Sequence, residues 1–159
     1  MNGPGDALAE IYNFRLIDEK LGTSGQPREE QFAAIADAGF QAVVNIALPT
    51  SDNALANEGS IVTRLGMSYF HIPVDFGAPK AEDFRTFCGL MKALSPRKVF
   101  VHCAANMRVS AFVFLHRVLF EGTTVPEARR DLHAIWEPNE VWACFLDDQL
   151  AKKRLPHTE

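Results

Sequence analysis

The segment Val99-Phe100-Val101-His102-Cys103-Ala104-Ala105-Asn106-Met107-Arg108-Val109-Ser110 sets a thiol and a guanidinium five positions apart. They stand where an apolar strand pattern gives way to an apolar helix pattern. A cysteine leaving a buried strand, followed by a short loop and a helix beginning near Arg108, faces a row of backbone N–H groups that bind an anion without a metal. The same positive potential favours a thiolate over a thiol and arms Cys103 as a nucleophile. A thiolate beside an oxyanion site is equipped to attack a bound phosphate and form a covalent intermediate. Arg108 adds paired donors for the phosphoryl oxygens. Ala104 and Ala105 are small enough for the backbone to approach the ligand, and Asn106 tolerates the left-handed conformation a tight loop demands. Met107 and Val109 complete the loop and the first helical turn. The plainer alternatives are a packed small side chain for Cys103 and a solvated helix-start residue for Arg108.

The elements that must position this loop follow from hydrophobic periodicity. Phe14 to Ile17 and Leu21 to Thr23 read as short strands, an antiparallel pair at a sheet edge. Thr23-Ser24-Gly25-Gln26-Pro27 is a turn into a helix that Pro27 can open, with Phe32, Ile35 and Ala36 on one face and Gly39 at its end. Gln41 to Ala47 is a buried strand, Leu55 to Leu65 a helix, and Ser68 to Ile72 a strand. Ala81 to Leu94 is a clear amphipathic helix carrying Phe84, Phe87, Cys88, Met91 and Leu94. Lys98 to Val101 is a strand, and Val109 to Phe120 is apolar nearly all round, which predicts a buried helix. Thr124 with Glu127 forms a capping-box pattern, and a last helix follows Asn139. Strands alternating with helices predict an α/β fold: a central, mainly parallel sheet of four to five strands with helices on both faces, in one domain over residues 1–159.

Composition narrows the partners. With 47% apolar and 23% charged residues the chain is globular in type, and a net charge of −4 argues against non-specific binding to nucleic acid or an anionic membrane. Met1 to Asp6 carry no pattern of a secretory signal, and no apolar run reaches the roughly 18–20 residues of a membrane span. Cys88, Cys103 and Cys144 are widely separated and one stays unpaired in any disulfide scheme, so a reducing, cytoplasmic setting is expected. Cys88 and Cys144 fall on apolar helical faces and read as core residues. His71, His116, His133 and His157 lack metal-ligand spacing, and neither a metal nor another cofactor is expected.

The His-Cys pair, short loop, Arg and Ser resemble the signature of the protein tyrosine and dual-specificity phosphatase superfamily. The Thr23–Pro27 turn, Val43-Val44-Asn45-Ile46 and His71-Ile72-Pro73-Val74-Asp75 resemble its small atypical members, so the likeness spans residues 14 to 120. The resemblance implies hydrolysis of a phosphomonoester, on a protein or a small molecule. It makes Cys103 the nucleophile, Arg108 the phosphate clamp, Ser110 the hydroxyl assisting breakdown of the thiophosphate, and His102 a residue that orients and tunes the thiolate. It makes Asp75, 28 residues before Cys103, the general acid and later base. Ser24 and Gln26 are candidates to reach the phosphate from the neighbouring loop, with a turn made for its own sake as the equal alternative. For Asp75 the alternative is a turn-forming carboxylate, and for Ser110 a bond to a nearby helix carbonyl. Trp136-Glu137-Pro138-Asn139 reads as a helix junction first and a cleft wall second.

One departure matters. The superfamily spaces its Cys and Arg by five residues, whereas Ala104 to Met107 is four. Either the loop is shorter and Arg108 still turns inward, or Val109 has replaced the clamp and turnover is lost. The nearness of Arg108 favours the first. Two other functions remain at this stage: a rhodanese-type sulfurtransferase, whose cysteine loop is also short, and a module that binds phosphorylated ligands without turnover.

Overall fold

The structure, a computed structural model, describes residues 4–154; His157 and Met1 to Gly3 lie outside them. Five strands form one sheet in the order β1-β2-β5-β3-β4. They are β1 (Arg15–Asp18), β2 (Leu21–Ser24), β3 (Ala42–Asn45), β4 (Ser68–His71) and β5 (Val99–His102). The hairpin partner β1 runs antiparallel to β2, and every other pairing is parallel. The expected mainly parallel sheet is therefore present, with the predicted antiparallel pair at its edge.

The central strands β2, β3 and β5 are buried along their whole length, as their unbroken apolar runs require. Alternation along β5 divides its side chains between two faces. Val99, Val101 and the following Cys103 join one apolar cluster with α4 (Ala81–Leu94), α5 (Met107–Phe120), α6 (Val125–Ile135) and α7 (Glu140–Arg154). Phe100 joins the opposite cluster, with α1 (Pro4–Ala9), α2 (Phe32–Asp37) and α3 (Glu58–Arg64). Helices thus cover both faces.

Helix α5 is the buried element that fixes the cysteine loop. Phe112 is fully buried among Phe84, Phe87, Trp142 and Phe145, with ring centroids 5.3 to 6.1 Å away. Truncating such a ring to alanine costs about 3–5 kcal/mol, so the helix has little freedom to shift beneath the loop. Helix α6 starts where the capping pattern predicts, with Thr124 Oγ1 accepting from the Glu127 amide at 3.3 Å. Helix α7 starts after the Pro138 break, where Asn139 Oδ1 accepts from the Trp142 amide at 3.0 Å.

Some boundaries differ from the sequence reading. The helix expected from Pro27 becomes α-helical only at Phe32, after a 3-10 turn over Glu29–Gln31. Gln31 Oε1 folds back over that turn to accept from the Arg28 amide at 2.8 Å. Gly39 does end α2, at a φ of 94° that a residue without Cβ adopts freely. The helix expected over Leu55 to Leu65 spans Glu58–Arg64. Helix α1, which buries Leu8, was not anticipated. Cys144, expected in the core, is instead exposed on α7, because the buried side of that helix is carried by Trp142, Phe145 and Leu146.

Candidate active site

The carboxyl ends of three parallel strands lie level, since Ser24 of β2 and Asn45 of β3 both pair with His102 of β5. The backbone just beyond is held from both sides: the Cys103 amide donates to Ser24 O at 3.3 Å, and His102 O accepts from the Ile46 amide at 2.9 Å. Ligands in open α/β sheets bind at this end, where strand order reverses around the central strand.

From Cys103 the chain turns through Ala104, Ala105 and Asn106 into α5. The carbonyls of this loop are fastened outward. Ala104 O accepts from the Gln26 amide at 3.1 Å and from Asn53 Nδ2 at 3.1 Å. Ala105 O accepts from Asn13 Nδ2 at 3.0 Å. In a trans peptide the N–H opposes the C=O, so the Ala105 amide is turned to the other side of the loop. The amides of Met107, Arg108 and Val109 belong to the first turn of α5, where no intrahelical acceptor exists. Free amides of this kind, with the positive end of the α5 dipole, can receive an anion.

Asn106 makes the turn possible. It lies at φ 66°, ψ 4°, the left-handed conformation, directly before Met107. Its side chain spans the loop, Nδ2 donating to Asn13 O at 2.8 Å and to Thr23 Oγ1 at 3.2 Å. Gly25 meets the loop from the other side. A Cβ there would stand 2.8 Å from Ala104 O and 3.0 Å from Ala105 Cα. The glycine of the Thr23–Pro27 turn is needed for close backbone approach.

Cys103 is wholly buried, as is Val109, and both belong to the core cluster on the α5 side. Arg108 does not extend into solvent. It is 6% exposed, its Nη1 donates to Val74 O at 2.8 Å, and its Cζ lies 5.7 Å from the centre of the Phe76 ring. Its Nε is buried with no hydrogen-bond partner among the described residues. Arg108 therefore bridges the start of α5 and the loop after β4 with its Nε–H buried and unspent, an unusual state for a buried N–H.

Asp75 lies in that same loop, between Val74 and Phe76. It is exposed, and its Oδ1 accepts from the Gly77 amide at 2.9 Å in a tight turn. Ser110 has its hydroxyl committed elsewhere, donating to Met107 O at 2.8 Å and accepting from Trp136 Nε1 at 3.0 Å. This is the helix-carbonyl alternative; the four-residue spacing puts Val109 rather than Ser110 directly after the arginine. Ser24 Oγ bonds Gly25 O at 2.6 Å, and Gln26 Nε2 bonds Pro27 O and Glu58 Oε1, so both side chains are spent within the scaffold. Trp136 packs 5.7 Å from Phe76 and joins the α6–α7 junction to the Asp75 loop. Trp142 Nε1 fastens the same loop by donating to Phe76 O at 2.8 Å.

His102 is buried on the α2 face, with Nε2 at 2.6 Å from Glu58 Oε2 and Nδ1 at 3.2 Å from Cys103 O. Sequence reasoning did not single out Glu58. A signal existed: Glu58 lies three and four positions before Ile61 and Val62, on the apolar stripe of its helix, where an acid needs a buried partner. The bonds from Asn13 and Asn53 to the loop had no local signal.

A cavity of about 790 Å³ opens at the opposite, amino ends of the strands, among Leu21, Phe84, Cys88, Val99, His116 and Phe120. It includes neither Cys103 nor Arg108. Burial pushes the Cys88 thiol there up to about 12, which makes it a poor nucleophile at neutral pH. No described helix is long and apolar enough to cross a membrane.

Comparison with known proteins agrees with this architecture. A crystal structure of a candidate phosphatase (DUF442) from Shewanella putrefaciens CN-32 is 33% identical, with a TM-score of 0.83, and the match covers 93% of this chain and 97% of that one. Tk-PTP in its active form (20% identity, TM-score 0.74, 88% and 97% covered) and PTPMT1 in complex with PI(5)P (14%, 0.73, 89% and 97%) share the fold. No curated protein sequence matches the chain. A family model described as DSP-PTPase phosphatase fused to NAD+ kinase matches residues 16–140, and the chain belongs to that dual-specificity phosphatase family.

Proposed function

We propose that the protein hydrolyses phosphomonoesters through a cysteinyl-phosphate intermediate on Cys103. The observation that carries this reading is Arg108: buried at the start of α5, bonded to the Asp75 loop through Nη1, and holding a buried Nε–H that has no partner among the described residues. The phosphoryl oxygens lie in the amide cradle and take the remaining guanidinium donors. The Cys103 thiolate attacks phosphorus in line, the S–P bond forms, and the ester P–O bond breaks with its electron pair on the leaving oxygen. Asp75 supplies the proton to that oxygen, and its exposure, one residue from the carbonyl that Arg108 holds, suits contact with a substrate. Asp75, now ionised, then takes a proton from water. The water oxygen attacks phosphorus, and the S–P bond breaks to return the thiolate and inorganic phosphate. The arrangement invokes no metal. Small phosphorylated molecules and phosphorylated proteins both present the tetrahedral group that the loop receives.

Hydrolysis of para-nitrophenyl phosphate in the presence of EDTA tests the reading. Wild type should turn over, Cys103→Ser should abolish turnover, and Asp75→Asn should lower kcat by about 10²–10⁴-fold. A cysteinyl-phosphate should be trapped by acid quench and found on the peptide containing Cys103. Thiosulfate-to-cyanide sulfur transfer without phosphate release, or phosphate binding without turnover, would overturn it.

A further inference from the structure

On the sheet face away from α5, behind the cysteine loop, lies a buried polar cluster that the chemistry above leaves unused. Glu58, the first residue of α3, is 3% exposed. Its carboxylate accepts from His102 Nε2 at 2.6 Å on one oxygen and from Gln26 Nε2 at 2.6 Å on the other. The Tyr69 hydroxyl also donates to it, while accepting from Asn45 Nδ2 at 3.0 Å. Burial alone would raise the Glu58 carboxyl. The bond and charge of His102, then the bonds of Gln26 and Tyr69, outweigh it and hold Glu58 below its ordinary value. Glu58 is therefore a buried carboxylate met by donors from β5, the β2 loop and β4.

His102 is fully buried and edge-on to Phe32 of α2, ring centroids 6.1 Å apart. Both of its ring nitrogens face acceptors: the Glu58 carboxylate at Nε2 and the Cys103 carbonyl at Nδ1. Neither acceptor has a hydrogen to give, so only a ring protonated on both nitrogens satisfies both contacts. A buried cation survives only beside a compensating anion. Of the residues that face His102 (Glu58, Phe32 and the Cys103 peptide), Glu58 supplies that charge, and Gln26, Tyr69 and Asn45 around Glu58 are uncharged donors.

We propose that Glu58 is a positioning residue for the nucleophile: it keeps His102 as an imidazolium, which pins the Cys103 carbonyl and holds a positive charge against the peptide that carries the sulfur. This rests on Cys103 being the nucleophile, as proposed above. Removing the Glu58 charge releases the His102 proton, and the sulfur loses a cation that favours its ionised form.

Two measurements test this without requiring turnover. Nitrogen-15 NMR of the His102 ring should show both nitrogens protonated in wild type at neutral pH, and a neutral ring in Glu58→Gln. The thiolate absorbance assigned by difference against Cys103→Ser should titrate about one pH unit higher in Glu58→Gln. Kinetically, the acid limb of kcat/KM should move by the same amount, so the loss is about tenfold on the acid side and shrinks as pH rises. Glu58→Asp, which keeps the charge, should restore part of the wild-type profile. A wild-type ring with one bare nitrogen at neutral pH overturns the proposal, and that spectrum decides alone if Glu58→Gln does not fold. A uniform loss at every pH, with an unmoved thiolate titration, also overturns it. A wild type that shows the doubly protonated ring and the coupled thiolate but hydrolyses no phosphate ester would sink the hydrolase reading and leave the pairing intact.

Discussion

Arg108 Nη1 donates to the carbonyl oxygen of Val74 at 2.8 Å, so the helix that begins beside the cysteine loop is fastened to the residue preceding Asp75. One guanidinium thus joins the proposed phosphate cradle to the loop of the proposed acid. Its planar fork allows Nη1 to hold the loop while Nε stays free for an anion.

A lysine carries a single ammonium and cannot serve both directions at once. Arg108→Lys should lower kcat/KM for an aryl phosphate by about 10²–10³-fold. It should also weaken the dependence of rate on Asp75, since the loop loses its tether. Steady-state kinetics on Arg108→Lys with and without Asp75→Asn checks this, and activity within a few-fold of wild type would remove Arg108 from the chemistry.

Gly25 touches the back of the cysteine loop. A methyl group at that position would fall 2.7 Å from Tyr12 Cδ2 and 2.8 Å from Ala104 O, so the loop must move. Gly25→Ala should leave the protein folded by circular dichroism, lower kcat by roughly tenfold or more through misplaced geometry, and weaken inhibition by inorganic phosphate. Unchanged phosphate inhibition would show that the loop is not the binding element.

Asn106 combines backbone strain with two side-chain bonds, and two substitutions separate them. Asn106→Gly removes the bonds to Asn13 O and Thr23 Oγ1 but accepts the left-handed conformation without strain. Asn106→Ala removes the same bonds and adds a strain of about 1–2 kcal/mol. Urea unfolding should therefore rank wild type, then glycine, then alanine. Alanine as stable as glycine would argue that the loop relaxes out of the left-handed region.

Cys88 carries a pH dependence whose sign follows from its burial. Its thiol is raised from an ordinary 9.0 to about 12 in the folded protein, because the low-dielectric surroundings disfavour the thiolate. Above pH 9 the unfolded chain releases this proton and the folded one retains it. The stabilising contribution is complete below 9.0 and lost as pH rises toward 12. Chemical unfolding from pH 8 to 10.5 should show wild type losing stability more steeply than Cys88→Ala, and parallel slopes would contradict the assignment. In native protein at pH 8, iodoacetamide should label exposed Cys144 well before Cys88.

How much of this was legible in the chain depends on the range of the interaction. Hydrophobic periodicity is a local quantity, set by which face of a strand or helix meets the core, and it determined the alternating elements, the mainly parallel sheet and the antiparallel edge pair. The same local reading placed Cys103 between an apolar strand and an apolar helix, and identified Asn106 as fit for a left-handed turn that it does adopt. Where Arg108 and Val109 pack was not local: the core on the α5 side took Val109, and Val74 and Phe76 took Arg108. Ser110 found Trp136, 26 residues on, and Glu58 found His102, 44 residues on. A side chain's type announces that it needs a partner, but only the packing of distant segments settles which partner it meets, because hydrogen bonds act over about 3 Å and the chain between them carries no record of the contact. The amino-acid order alone specified the strand, loop and helix that present the sulfur; the tertiary structure assigned the partners that Arg108, Ser110 and His102 meet.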